Sequence, residues 1–80
     1  MELNLYTREG CHLCHRLEQL LAPWIEQGAI AIKHRDIETN DAWYEMYWSR
    51  IPVLTQADHV ILEGKPEEVQ VREAMNALVA

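Results

Sequence analysis

The chain contains two cysteines, Cys11 and Cys14, three residues apart. That spacing rules out a covalent scaffold, because small secreted domains that depend on disulfides carry more cysteines, spread to close long loops. An 80-residue chain without such staples must be held by its apolar core. At this size only about 60% of the unfolded surface is buried on folding. What the chain folds into is therefore set by how its apolar residues recur.

Leu3 and Leu5 alternate with Glu2, Asn4 and Tyr6, the period of a short strand, and Thr7-Arg8-Glu9-Gly10 interrupts it. Leu13, Leu17, Leu20, Leu21 and Trp24 then recur at three- and four-residue spacing, which predicts an amphipathic helix from near Cys11. Pro23 is expected to kink or end it, and Gly28 marks its end at the latest. Residues 29–35 read as a second strand closing at Asp36-Ile37. Asn40 or Asp41 caps a short helix to about Trp48. Residues 51–55 and 59–62 read as strands, with Gln56-Ala57-Asp58 short enough for a hairpin turn. Pro66 opens the last helix, Glu67 and Glu68 occupy its first turn, and Val71, Met75 and Leu78 form its buried stripe.

The order β-α-β-α-β-β-α runs without linker, repeat or low-complexity stretch, so residues 1–80 are expected to form a single domain. Its class is α/β: a four-stranded mixed sheet flanked by helices. The first two strands, joined by a helix, should be parallel with a right-handed crossover, and the last two an antiparallel hairpin.

Composition narrows the function. With 49% hydrophobic and 25% charged residues the chain is globular rather than disordered. No apolar run approaches the roughly 18 residues of a membrane span. The net charge is −6, and from Asp36 onward nine acids face three bases. An acidic chain with no basic run is not expected to bind nucleic acid or an anionic membrane. The N-terminal residues have an acid where a secretory leader has bases, so a cytoplasmic location is expected, and a monomer at this size.

Two cysteines in C-x-x-C spacing then point to redox chemistry or a metal. At the first turn of a helix, the first sulfur meets unpaired backbone N–H groups and the positive end of the helix dipole, which favour the thiolate. Arg8 and a protonated His12 act in the same direction. The second sulfur points back into the structure, near enough to resolve a mixed disulfide. Cys11 is therefore the expected nucleophile and Cys14 the resolving residue. Alternatives share the motif. Cys14-His15 completes C-x-x-C-H, the haem-attachment pattern, which would need export, a second axial ligand and a mostly helical body. Structural zinc would need four ligands, and His12 and His15 flank the cysteines at a helix start where they cannot easily face one metal. His34 and His59 read as ordinary surface residues. A carrier that holds an iron-sulfur cluster or metal through Cys11, or docks a partner without turnover, is the second reading, and an adaptor with spectator cysteines the third.

The residues resemble the glutaredoxin-like branch of the thioredoxin superfamily over almost the whole chain. The resemblance rests on residues 5–14 (LYTREGCHLC), Asp36-Ile37-Glu38, and residues 50–54 (RIPVL). It implies a thioredoxin-like fold and thiol-disulfide oxidoreductase activity, with electrons carried by the Cys11-Cys14 pair and no bound cofactor. It also implies that Pro52 follows a cis peptide bond and faces the cysteines, so that the Ile51 backbone pairs with an extended substrate segment; a strand-starting proline is the plainer alternative. Arg8 matches the basic residue that contacts a glutathione carboxylate, against the alternative of a solvated surface arginine. The chain departs from the family in having His12 and Leu13 between the cysteines, and Glu63-Gly64-Lys65-Pro66-Glu67 where a Gly-Gly and an aspartate would hold the glutathione α-carboxylate. Four aromatics, Trp43, Tyr44, Tyr47 and Trp48, crowd a two-turn helix and cannot all face inward, so Trp48 is expected to form an apolar rim that docks substrate. The expected site is thus Cys11 and Cys14 for catalysis and Arg8, His12, Ile51, Pro52 and Trp48 for substrate. The partners are a disulfide-bearing protein or glutathione, with a regenerating reductant.

Overall fold

A computed structural model describes all residues, 1–80. Strand β1 (Glu2–Thr7) leads into helix α1 (His12–Glu26), strand β2 (Ala31–Asp36), a single 3-10 turn (Ile37–Thr39) and helix α2 (Asp41–Tyr47). Strands β3 (Val53–Gln56) and β4 (His59–Glu63) and helix α3 (Glu68–Val79) complete the chain. The strands form one sheet in the order β2-β1-β3-β4, with β1 and β2 parallel and both other pairs antiparallel. This is the thioredoxin-like β-α-β-α-β-β-α architecture that the periodicity and the resemblance anticipate.

Strand alternation divides the core between the two sheet faces. Leu3 and Leu5 of β1 and Leu54 of β3 pack with Leu17 and Leu21 of α1 and Val71 and Met75 of α3. The opposite face is covered by α2 alone, where Ile37, Tyr47 and Val53 are buried with Tyr6, Trp43, Ile51 and Val60 around them. In the β3–β4 ladder, Leu54 pairs with Leu62 but Thr55 with Val60, so Ile61 is an extra residue, a β-bulge. It lets the consecutive Ile61 and Leu62 both pack on the α1–α3 side while Val60 serves the other.

Several boundaries differ from the sequence expectation. Pro23 does not end α1, which runs through it to Glu26. Leu17, Leu20, Leu21, Trp24 and Ile25 grip the sheet face on both sides of the proline, and that burial outweighs the backbone bond it removes. The helix stops where the chain turns left-handed at Gly28, φ +77°. There Ala29 N–H donates to Trp24 C=O at 3.0 Å and Gly28 N–H to Ile25 C=O at 3.0 Å, a Schellman motif. Ile30 N–H also donates to Trp24 C=O, so β2 starts at Ala31 rather than residue 29. β3 begins at Val53 rather than Ile51, and Pro66 precedes the N-cap of α3, Glu67, instead of opening the helix. Leu13 is exposed, not part of the α1 stripe. The inward positions at three- and four-residue spacing are Cys14, Leu17 and Leu21.

Candidate active site

Register alone gathers four connections at one end of the sheet. Thr7 pairs with Asp36, Tyr6 with Val53, and Val53 with Glu63. The ends of β1, β2 and β4 and the start of β3 therefore lie together, and from them lead residues 8–11, the turn after Asp36, residues 48–52 and residues 64–67.

Cys11 is the N-cap of α1, in extended conformation, and its Sγ accepts the Cys14 N–H at 3.2 Å. That amide is one of the unpaired donors of a helix start, and the first turn has no acidic residue to offset the positive end of the dipole. Cys11 and Cys14 are joined as a disulfide with their Cα atoms 5.3 Å apart. Cys14 is 4% exposed while Cys11 is half-buried, so Cys11 is the sulfur more open to attack. The same N-cap geometry that orders the helix thus aims a backbone dipole at the outer sulfur.

Of the residues expected to meet substrate, Arg8, Trp48, Ile51 and Pro52 lie on the connections gathered at this end of the sheet, and His12 opens α1. His12 is exposed as the first residue of α1, and Leu13 beside it is 38% exposed. The Ile51–Pro52 peptide is cis and Pro52 is buried. Pro52 C=O accepts from Gly64 N–H at 2.9 Å, tying the α3 approach to the proline loop. Ile51 N–H donates to Tyr47 C=O at 3.1 Å, so that donor is already used within the chain. Of the four α2 aromatics, Tyr47 is buried and Trp43 half-buried, both against the Tyr6 ring, while Tyr44 and Trp48 face solvent. Trp48, the C-cap of α2, is 58% exposed.

Three residues to which sequence reasoning assigned no role make contacts across this rim. Glu38 Oε1 pairs with Arg8 Nη2, and Glu63 Oε2 with Arg50 Nε at 2.6 Å. Arg16 Nη1 donates to the Pro66 carbonyl at 2.7 Å, anchoring the start of α3 to α1. The signal for Glu38 was present: a parallel β1–β2 pairing makes the residues that follow the two strands neighbours. His34, read as plain surface, reaches from β2 to Glu18 of α1 at 2.8 Å.

A model of the glutaredoxin-like domain (DUF836) matches residues 2–76. The chain belongs to that family. Among solved structures, this glutaredoxin-like chain is similar to target protein XcR50 from X. campestris. The two are 29% identical at a TM-score of 0.77, over 94% of this chain and 96% of that one. It is also similar to a mutant thioredoxin from Halobacterium salinarum NRC-1, 23% identical at a TM-score of 0.66, over 99% of this chain and 74% of that one. That likeness speaks to the fold. No curated protein matches the chain at a significant level. The molecule is a glutaredoxin-like domain whose C-x-x-C pair forms a disulfide, and no helix is long and apolar enough to cross a membrane.

Proposed function

We propose that this glutaredoxin-like protein is a cytoplasmic thiol-disulfide oxidoreductase that exchanges its Cys11-Cys14 pair with the disulfide of a protein substrate. The observation that carries the reading is the asymmetry of the pair: Cys11 lies at the N-cap with the Cys14 amide aimed at its sulfur, and Cys14 is buried behind it. In the reducing direction, the Cys11 thiolate attacks one substrate sulfur. A mixed disulfide forms, and the first substrate thiolate leaves. The Cys14 thiolate then attacks Cys11 Sγ, closing the intramolecular disulfide and releasing the second thiolate. Two electrons pass to the substrate, and the two protons given up by the cysteines balance the two thiols released.

The reading assigns Pro52 and the Ile51 carbonyl to the substrate backbone, and Trp48 to an apolar contact beside it. A thiol reductant, glutathione or a reductase, restores the dithiol, and the protein acts as a monomer with no resident cofactor. The test is a redox titration across defined thiol–disulfide ratios, with free thiols counted by mass-tagged alkylation. A reversible two-electron transition that Cys11→Ser abolishes is expected, and its midpoint gives the direction of electron flow. A pair that never oxidises, or one that purifies with stoichiometric metal, would put the carrier reading in its place.

A further inference from the structure

Taking the exchange reading as its basis, the geometry points to a charge filter at the same site: the protein turns over neutral and cationic disulfides and discriminates against anionic ones such as glutathione disulfide. The end of the sheet that carries Cys11 holds four permanent cations, and three of them already have an oxygen partner from the chain itself. Arg8 is paired with Glu38, Arg50 with Glu63, and Arg16 with the Pro66 carbonyl. Lys65 is the fourth, on the approach to α3. Against them stand Glu9, Asp36, Glu38, Glu63, Glu67 and Glu68, six carboxylates on the same loops and helix start. The loops and helix start at this end of the sheet are therefore net negative, six carboxylates against four cations, although the residue three before Cys11 is an arginine.

The start of α3 repeats the pattern. A helix N-terminus attracts carboxylates because its first amides lack partners and its dipole is positive there. Here the chain supplies its own: Glu67 is the N-cap, Glu68 is the first helical residue, and Gln70 accepts the Glu67 N–H at 2.7 Å in a capping box. The Arg16–Pro66 bond holds this helix start against α1, five residues beyond Cys11, a rise of about 7.5 Å along α1. A carboxylate borne by a substrate would have to displace Glu38 from Arg8 or share the α3 terminus with two like charges. An ammonium-bearing disulfide meets neither obstacle.

These carboxylates are exposed, with Glu38 at 49% and Glu63 at 46%. Their influence is a field over several ångströms rather than a buried contact, and salt should screen it. The experiment measures second-order oxidation of the reduced protein by three small disulfides: cystamine, with two ammonium groups; neutral 2-hydroxyethyl disulfide; and glutathione disulfide, net anionic. Each rate is divided by that of dithiothreitol with the same disulfide, so intrinsic reactivity cancels. The expected order is cystamine, then the neutral disulfide, then glutathione disulfide, with the extremes about tenfold apart at low salt and converging near 1 M, where the Debye length is about 3 Å. Glu38→Gln and Glu67→Gln should each raise the ratio of the glutathione to the neutral rate by about threefold. If either variant folds poorly, the salt series on the unaltered protein decides alone. A glutathione rate equal to or above the neutral one, or an order that salt does not change, overturns the filter while leaving thiol exchange intact. Failure of all three disulfides to oxidise the protein overturns the exchange reading itself and the filter with it.

Discussion

Truncating Tyr47 to alanine removes the one buried side chain by which α2 holds to the sheet. The ring is 7% exposed, lies 4.5 Å from the Tyr6 ring centroid and carries the Arg50 guanidinium 5.2 Å above it. A buried aromatic removes some 150–250 Å² from water; losing about 120 Å² of it to alanine costs about 3 kcal/mol at 25 cal/mol per Å². The Tyr6 pairing adds about 1 kcal/mol, for a loss of about 4 kcal/mol. A chain of this length is stable by about 4–12 kcal/mol, so the variant should be marginal. Trp48, the next residue, is 58% exposed, and Trp48→Ala should cost at most about 1 kcal/mol. Urea unfolding of the oxidised protein, followed by far-UV circular dichroism, gives both numbers. Tyr47→Leu provides an intermediate point if Tyr47→Ala does not fold. A cost for Tyr47→Ala below about 1.5 kcal/mol, the least that burying a large apolar side chain is worth, would show that this ring does not hold α2. An equal cost for Trp48→Ala would show the same.

Two further outcomes follow from local geometry. Burial pushes the Tyr47 phenol above its ordinary value of 10.0, the Tyr6 charge adds to the effect and Arg50 opposes it. A folded-state value above the unfolded one means the unfolded chain ionises first, so this contribution is fully present below pH 10 and is lost as pH rises through the folded value. Urea midpoints measured between neutral and strongly alkaline pH should fall less steeply in Tyr47→Phe than in the unaltered protein; identical slopes would refute the assignment. In the β3–β4 hairpin Ala57 sits at φ +51°, a region where a side chain with a Cβ is strained. Ala57→Gly should therefore stabilise the protein by about 0.5–1 kcal/mol in the same unfolding assay.

The architecture was legible because the period of the apolar residues switches cleanly. Leu3 and Leu5 alternate, the α1 and α3 residues recur by threes and fours, and Asn40 stands where a cap is needed; its side chain accepts the Trp43 N–H at 3.1 Å. The cysteines and the proline loop were legible as motifs. What escaped notice depends on competition between terms or on distance along the chain. Pro23 marks a helix end only if local propensity outweighs packing, and here the apolar residues on both sides of it win. Leu13 and Cys14 exchanged places because the motif drew Cys14 into the chemistry, although it also satisfies the inward spacing with Leu17 and Leu21. The Arg8–Glu38 pair joins residues thirty apart, which no periodicity reveals but the strand register does.

The extra residue in β4 also bears on how these molecules meet one another in concentrated solution. β4 forms one outer margin of the sheet and has no partner beyond it. A flat margin is a template for strand-on-strand polymerisation, and a bulge bends and twists it out of that shape. The other margin, β2, bears Lys33 and Arg35, charges that repel a second copy laid alongside in the same orientation. Neither side of the sheet offers an easy start for a fibre, so a chain with 49% hydrophobic residues is protected from its own edges.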